Sequence, residues 1–188
     1  LISYLAASGT IQTEGKDMKS LYFGTKQIIA TAMTRLAYNQ YRKWDLPSDE
    51  DGTDAGYLVE YLDGGASNDD RHDGYISWSP ADVFDRAYRA SGSMTFGHAI
   101  EAMQLGHKVA RAGWNGKGMW IAITPGSSFA ANFAKAGHAA VHRAAELDGV
   151  DPVINLLAHI DMRAADGSMV VGWLASQTDM LSSDWGIV

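Results

Sequence analysis

The sequence predicts an α+β protein made of two small units, the second built from antiparallel hairpins packed on short helices. Three observations predict it. Strand-like arms stand at 57–62, 75–78 and 119–124, the last with the two-residue alternation that sends successive side chains to opposite faces of a sheet. Short apolar-faced segments follow residues that can cap a helix, Thr34, Ser79, Thr95 and Ser176. The linker Ala90-Ser-Gly-Ser93 separates an acidic first half, with 14 acids against 9 bases in residues 1–93, from a more balanced second half with 8 against 6.

At 188 residues the chain can bury a sizeable core as one domain or two small ones. A net charge of −7 argues against binding a DNA or RNA polymer, because affinity for a phosphate backbone comes from clustered Lys and Arg. A small anionic ligand stays compatible with that charge, since a few donors inside a site outweigh the average surface. Without cysteine there are no disulfides, thiol nucleophiles or thiolate metal sites, which fits a reducing compartment. No apolar run approaches the length of a membrane span, and no signal-peptide pattern is read.

In chain order, residues 1–17 read as a polar, poorly ordered lead-in, and residues 18–92 as a small α+β unit. Leu21 to Ala30 reads as a strand interrupted at Gly24. Thr34 caps a helix over Arg35 to Lys43 that carries Leu36, Tyr38 and Tyr41. Pro47 to Asp54 is an acidic loop, Tyr57 to Leu62 a strand, Asp63 to Gly74 a polar excursion, and Tyr75 to Trp78 a second strand. Ser79 then caps a helix with Pro80 at its first position, running to Arg89 and burying Val83, Phe84 and Ala87.

The second unit, residues 93–188, opens with a helix capped by Thr95, with Phe96, Ile100 and Met103 on one face and Gly106 ending it. Lys108 to Thr124 reads as a hairpin turning at Asn115-Gly116, with Met119, Ile121 and Ile123 on the core face and Trp120, Ala122 and Thr124 on the other. Gly113, Gly116 and Gly118 clear side chains from beside Trp114 and leave backbone N–H groups open, a surface suited to a flat phosphate-bearing ligand or simply to a tight hairpin. Thr124 to Ser128 reads as a loop whose glycine and two hydroxyls could form an anion nest. Phe129 to Leu147 is alanine-rich and partly helical, with His138, His142 and Glu146 at steps of four. Three ligand-type side chains on one face could hold a metal, but no second cluster of Asp or His stands at diagnostic spacing, so this face reads as solvated and metal-free. Val150 to Ala158 is an apolar connection. His159 to Arg163 and Met169 to Trp173 form a second hairpin around Asp166-Gly167, with His159, Asp161 and Arg163 on its polar face. Ser176 and Asp179 make a capping box for a short helix through Leu181.

Several of these segments, in this order, resemble the second Thoeris anti-defence family of phages. They are Met94-Thr-Phe-Gly-His-Ala-Ile-Glu-Ala-Met103, Val109-Ala-Arg-Ala-Gly-Trp-Asn-Gly-Lys-Gly-Met119 and Pro125-Gly-Ser-Ser-Phe129. They continue with His159-Ile-Asp-Met162, Ala165-Asp-Gly167 and the tail from Trp173 through Asp184-Trp185, so the resemblance covers residues 94–188. It implies a non-enzymatic sponge that sequesters, without cleaving it, a cyclic ADP-ribose isomer made by bacterial TIR immune proteins, in the cytoplasm of the infected host. It also implies a homotetramer with pockets between subunits, no cofactor, and room for cyclic di- or trinucleotides at a separate site. The alanine-rich Phe129 to Ala158 stretch departs from that family's pattern, and the first 93 residues lie outside it.

On that reading the ligand-binding candidates are Phe96, Trp114, Trp173 and also Trp120 for the base. Asn115, Gly116, Lys117, Gly118, Met119, Ser127 and Ser128 are candidates for the phosphate-bearing part. Ser176 and Asp179 could reach ribose hydroxyls or an amino group, although the capping box alone accounts for them. No catalytic or metal-binding residue is expected. Two other classes compete: a nucleotide-processing hydrolase using His159, Asp161 and a metal at His138 and His142, and a phage structural or partner-binding module using Tyr57, Tyr61, Tyr75 and Trp78.

Overall fold

A computed structural model describes residues 26–147, 149 and 152–188. The lead-in read at 1–17 and the first half of the strand read at 21–30 lie outside the described residues. Strand β1 (Ile28–Ala32) pairs antiparallel with a later strand, and helix α1 (Arg35–Arg42) follows it with Thr34 as its cap. The Thr34 hydroxyl accepts from the Ala37 N–H at 3.2 Å, satisfying one of the donors that a helix start leaves unpaired. Strands β2 (Gly56–Tyr61) and β3 (Tyr75–Pro80) complete a three-stranded sheet in the order β1-β2-β3. Leu58 and Ile76 point to the same face and meet Tyr38 of α1, a core to which Met33, Tyr41 and Trp78 add their apolar parts.

The excursion at 63–74 is fastened by side chains rather than by a ladder. Asn68 donates to the Ile76 carbonyl at 2.9 Å and accepts from its N–H at 2.8 Å, so it supplies the backbone pairing that an edge strand lacks there. His72 bridges the Glu60 carboxylate at 2.7 Å and the Tyr41 hydroxyl at 2.8 Å. Helix α2 (Ala81–Ala87) starts later than its sequence predicts. Pro80 is extended (φ −57°, ψ 144°) because it still pairs with Gly56 in the sheet; it therefore caps the helix, and the Ser79 hydroxyl turns to the Pro80 carbonyl. Nor does α2 bury the predicted face. Val83 stays 43% exposed, and Phe84 lies half-buried, stacked on Tyr57 with ring centroids 4.0 Å apart.

The linker at 90–93 is stitched to the far end of the chain: Gly92 donates to the Trp185 carbonyl at 2.9 Å and Ser91 accepts from the Ile187 N–H at 2.8 Å. Helix α3 (Phe96–Gln104) follows as expected, and buries Ala99, Ala102 and Met103. Strands β4 (Val109–Arg111) and β5 (Trp120–Thr124) belong to one five-stranded antiparallel sheet. They are not the tight hairpin that Asn115-Gly116 predicts. Val109↔Ile121 is their one paired position, residues 112–119 form the connection, and Asn115 keeps a negative φ. The backbone of this loop is drawn instead toward the C-terminal tail.

Thr124 to Ser128 is not wholly a loop, since Ser127 and Ser128 enter strand β6 (Ser127–Ala130). The alanine-rich stretch is helical only in a 3-10 turn at Ala131–Phe133 and in α4 (Ala140–Ala145), with Gly137 in the left-handed region between them. The apolar connection at 150–158 contains strand β7 (Val153–Leu156), which pairs with β6. Strand β8 (His159–Arg163) runs beside β5, and β9 (Met169–Val170) is shorter than its predicted arm, ending before Gly172 turns the chain at φ 79°. After α5 (Gln177–Met180), strand β10 (Trp185–Ile187) closes the sheet against β4, giving the order β10-β4-β5-β8-β9. The inward residues Val109, Ile121, Met162 and Trp185 pack with Met94, Ala99, Ala102 and Met103, and Met119 and Ile123 join this face as the alternation predicts.

Candidate functional site

Loop 112–119 is held by Arg111, which directly precedes it, and by two carboxylates far away in sequence, Asp179 and Asp184. Arg111, at the end of β4, donates through Nε to Asp184 at 2.8 Å and through Nη1 to Asp179 at 2.9 Å. Asp184 also accepts the Gly113 N–H at 2.8 Å, so this amide is not one of the open donors expected of the glycine loop. Asp179 carries the largest share. Its Oδ2 accepts from the Ser176 hydroxyl at 2.7 Å and the Ser176 N–H at 3.0 Å, closing the predicted capping box, while its Oδ1 accepts from Arg111 and from the Trp114 indole N–H at 3.1 Å. Its backbone carbonyl takes the Trp185 indole N–H at 3.0 Å.

These bonds dominate the local electrostatics. Burial pushes the Asp179 carboxyl up, but the hydrogen bonds from Ser176, Arg111 and Trp114 outweigh it and bring it down to about 2. Hydrogen bonding to Arg111 likewise depresses Asp184 against the smaller opposing effect of desolvation. Both carboxylates are therefore held ionised across the physiological range. They position other groups.

The network fixes an aromatic cluster. Trp185 is sealed in the core, and Trp114 meets it edge to face with centroids 5.3 Å apart. Trp173 contacts Trp114 at 6.2 Å, and Phe96 lies 5.4 Å from Trp185. Phe96, Trp114 and Trp173 are half-buried: part of each ring packs on the core and part faces out. Three of the predicted aromatics thus converge. Trp120 points to the opposite side of the sheet, where Lys108 Nζ stands 5.4 Å from its ring centroid.

The loop glycines are required by close approach. A Cβ on Gly116 would stand 2.5 Å from both Ala165 Cβ and Met119 Sδ, and one on Gly118, at φ 70°, would stand 2.9 Å from Arg163 Nη1. Arg163 reaches across to donate to the Gly118 carbonyl at 2.6 Å. Asn115 and Lys117 are exposed at the tip, and Met119 is half-buried against the core. Among the described residues, the amides of Asn115, Gly116 and Lys117 make no hydrogen bond within the chain. Ser127 and Ser128 are exposed on the separate β6–β7 ribbon, where Ser128 Oγ bonds Asn155 Oδ1 at 2.7 Å.

Sequence reasoning left Arg111, Asp184 and Trp185 out of the site. All three lie in the segments that carry the family resemblance, so the signal was present; the pairing of Arg111 with Asp184 spans 73 positions and has no local signature. Of the residues of the hydrolase alternative, His159 Nε2 lies 3.4 Å from Asp161 Oδ1. Asp161 accepts from Thr124 Oγ1 and from the Gly172 N–H, and His159 Nδ1 faces the Leu157 carbonyl at 2.9 Å. Among the described residues no three His, Asp or Glu side chains gather as metal ligands. On the first unit, open concavities of about 330 and 390 Å³ lie beside Arg35, Glu50 and Trp78 and beside Lys26, Tyr61 and Tyr75.

A family profile described as the Thoeris anti-defense 2-like domain matches residues 94–188, the span of the five-stranded sheet and its aromatic cluster. Among curated proteins, Thoeris anti-defense 2 of Bacillus phage SP01 is 33% identical over 95 residues, which cover 50% of this chain and 94% of that protein.

Proposed function

We propose a sequestering role for this chain, which belongs to the Thoeris anti-defense 2-like family. The family supports a phage function directed against Thoeris defence. The finer reading is a sponge: the protein captures a cyclic ADP-ribose isomer in the infected host's cytoplasm and withholds it, uncleaved, from its effector. Trp114, Trp173 and Phe96 offer faces to the base; the tip of loop 112–119 offers Asn115, Lys117 and open amides to the phosphates. Ser127 and Ser128, on the neighbouring ribbon, extend the candidate surface, whereas Asp179 and Ser176 act by holding Trp114 in place.

One observation carries this reading. The polar groups beside the aromatics, Arg111, Asp179 and Asp184, satisfy one another, which gives a preorganised surface for binding. The apolar positions Val171, Leu174 and Leu181 of the same unit are 74%, 89% and 85% exposed, and further copies of this chain would cover them in a homotetramer with ligand between subunits.

Calorimetry and thermal melts with cyclic ADP-ribose isomers test the proposal. At a ligand concentration about a hundredfold above Kd, binding to the folded state alone adds about 2.7 kcal/mol of stability. A raised melting temperature with measurable heat is the expected outcome. Absence of both with every isomer would overturn it, and cyclic di- and trinucleotides in the same assay would report whether they are held as well.

A further inference from the structure

Of the six basic residues in 94–188, Arg111 is consumed by Asp179 and Asp184, and Arg143 pairs with Glu146 on an exposed helix face. Arg163 differs from both. It is half-buried, yet among the described residues it has no carboxylate partner, and its one hydrogen bond is Nη1 to the Gly118 carbonyl at 2.6 Å. Asp166, in the adjacent turn, feels its charge without pairing with it; that carboxylate is taken by the Ser168 hydroxyl and N–H.

The seat for this guanidinium is built by two loops. Gly118 (φ 70°) and Gly167 (φ 90°) both lie in the left-handed region, and a Cβ on them would stand 2.9 Å from Arg163 Nη1 and 3.6 Å from Nη2. The first distance shows that a side chain at 118 would displace the guanidinium. Arg163 is also the cross-strand partner of Trp120 and so shares the sheet face away from Met162 and the aromatic cluster; Lys108 stands 5.4 Å from the Trp120 ring centroid, and Lys117 precedes Gly118 on the loop. Positive charge thus gathers at one corner of an otherwise acidic protein, beside amides that make no bond within the chain.

We propose that Arg163 is an anion-binding residue at the tip of loop 112–119, using its remaining fork donors to grip a phosphate of the captured nucleotide while Nη1 holds the loop. This rests on the sequestering reading. It predicts that affinity depends on phosphate and is weakened by salt, because the contact is a charge-assisted pair at a half-exposed position.

The test is calorimetry of full-length wild type, Arg163→Gln and Arg163→Lys with the cyclic ADP-ribose isomer the wild type binds best, at low and high salt, beside thermal melts. Inorganic pyrophosphate serves as a competitor. Expected are a roughly ten- to hundredfold loss of affinity in Arg163→Gln, a smaller loss and retained salt dependence in Arg163→Lys, and competition by pyrophosphate that Arg163→Gln abolishes. A merely loop-holding role would lower the melting temperature and leave salt dependence and pyrophosphate competition unchanged, which would overturn the inference. Should Arg163→Gln unfold, failure of pyrophosphate to compete in wild type and Arg163→Lys overturns it equally. Wild-type binding with Arg163→Gln within twofold sinks this inference alone; no binding by the wild type sinks the sequestering reading and this inference together.

Discussion

Asp179→Ala is expected to cost the second unit about 2–4 kcal/mol, because it strips a buried network of its shared acceptor and leaves the Trp114 indole N–H and the Ser176 donors unpaired. The substitution removes acceptors from Arg111, Trp114 and Ser176 at once, and Asp179 itself is only 9% exposed. Arg111 keeps Asp184, so the loss should fall on the placement of Trp114 and on the start of α5 rather than on β4. Chemical denaturation followed by tryptophan fluorescence measures it; a cost below about 1 kcal/mol would mean that the network is peripheral. The same carboxylate gives the unit an acid dependence. Its folded pKa of about 2 lies below the unfolded value of about 3.9, so its stabilisation is present above pH 4 and is lost as pH falls toward 2. That contribution is on the order of 1–2 kcal/mol after allowance for solvent screening. Asp179→Asn should flatten this part of the pH profile.

The second large effect is on binding. Trp114→Ala removes a half-buried indole packed on Trp173 and Trp185, and should cost about 2–3 kcal/mol of stability together with roughly ten- to hundredfold in affinity for the messenger. The two losses separate in Trp114→Phe. An aromatic face remains for the base while the N–H to Asp179 is gone, so affinity should recover in large part although stability does not. Calorimetry run well below each variant's melting temperature checks this. Unchanged affinity in folded Trp114→Ala would assign the indole to the core alone.

Much of the fold is legible wherever the determinant is local. Thr34, Thr95 and Ser176 cap the helices they precede because a hydroxyl two or three residues upstream of an N–H is a short-range device. The face made by Met119, Ile121 and Ile123 follows from the period of a strand. What the sequence hides is pairing at a distance. Nothing near Trp185 announces that β10 will run beside β4, and the pairing of Ser127 to Ala130 with Val153 to Leu156 crosses an alanine-rich stretch whose composition suggests helix. Asn115-Gly116 misleads for the same reason: a strong local turn preference yields to Asp184, which draws Gly113 away from a two-residue turn. Of the candidate site, the resemblance picks out Phe96, Trp114 and Trp173 together with Trp120; that the first three meet on one face and Trp120 does not depends on the sheet register. The part of Arg163 is not legible, because its place depends on two glycines from two loops.

The central claim is capture without chemistry. The direct measurement is to saturate the purified protein with a cyclic ADP-ribose isomer, remove the free ligand, denature the complex by heat, and identify the released molecule by mass spectrometry. The account predicts recovery of the isomer intact and near one per site; recovery of a ring-opened or hydrolysed product, or of no nucleotide at all, would contradict it.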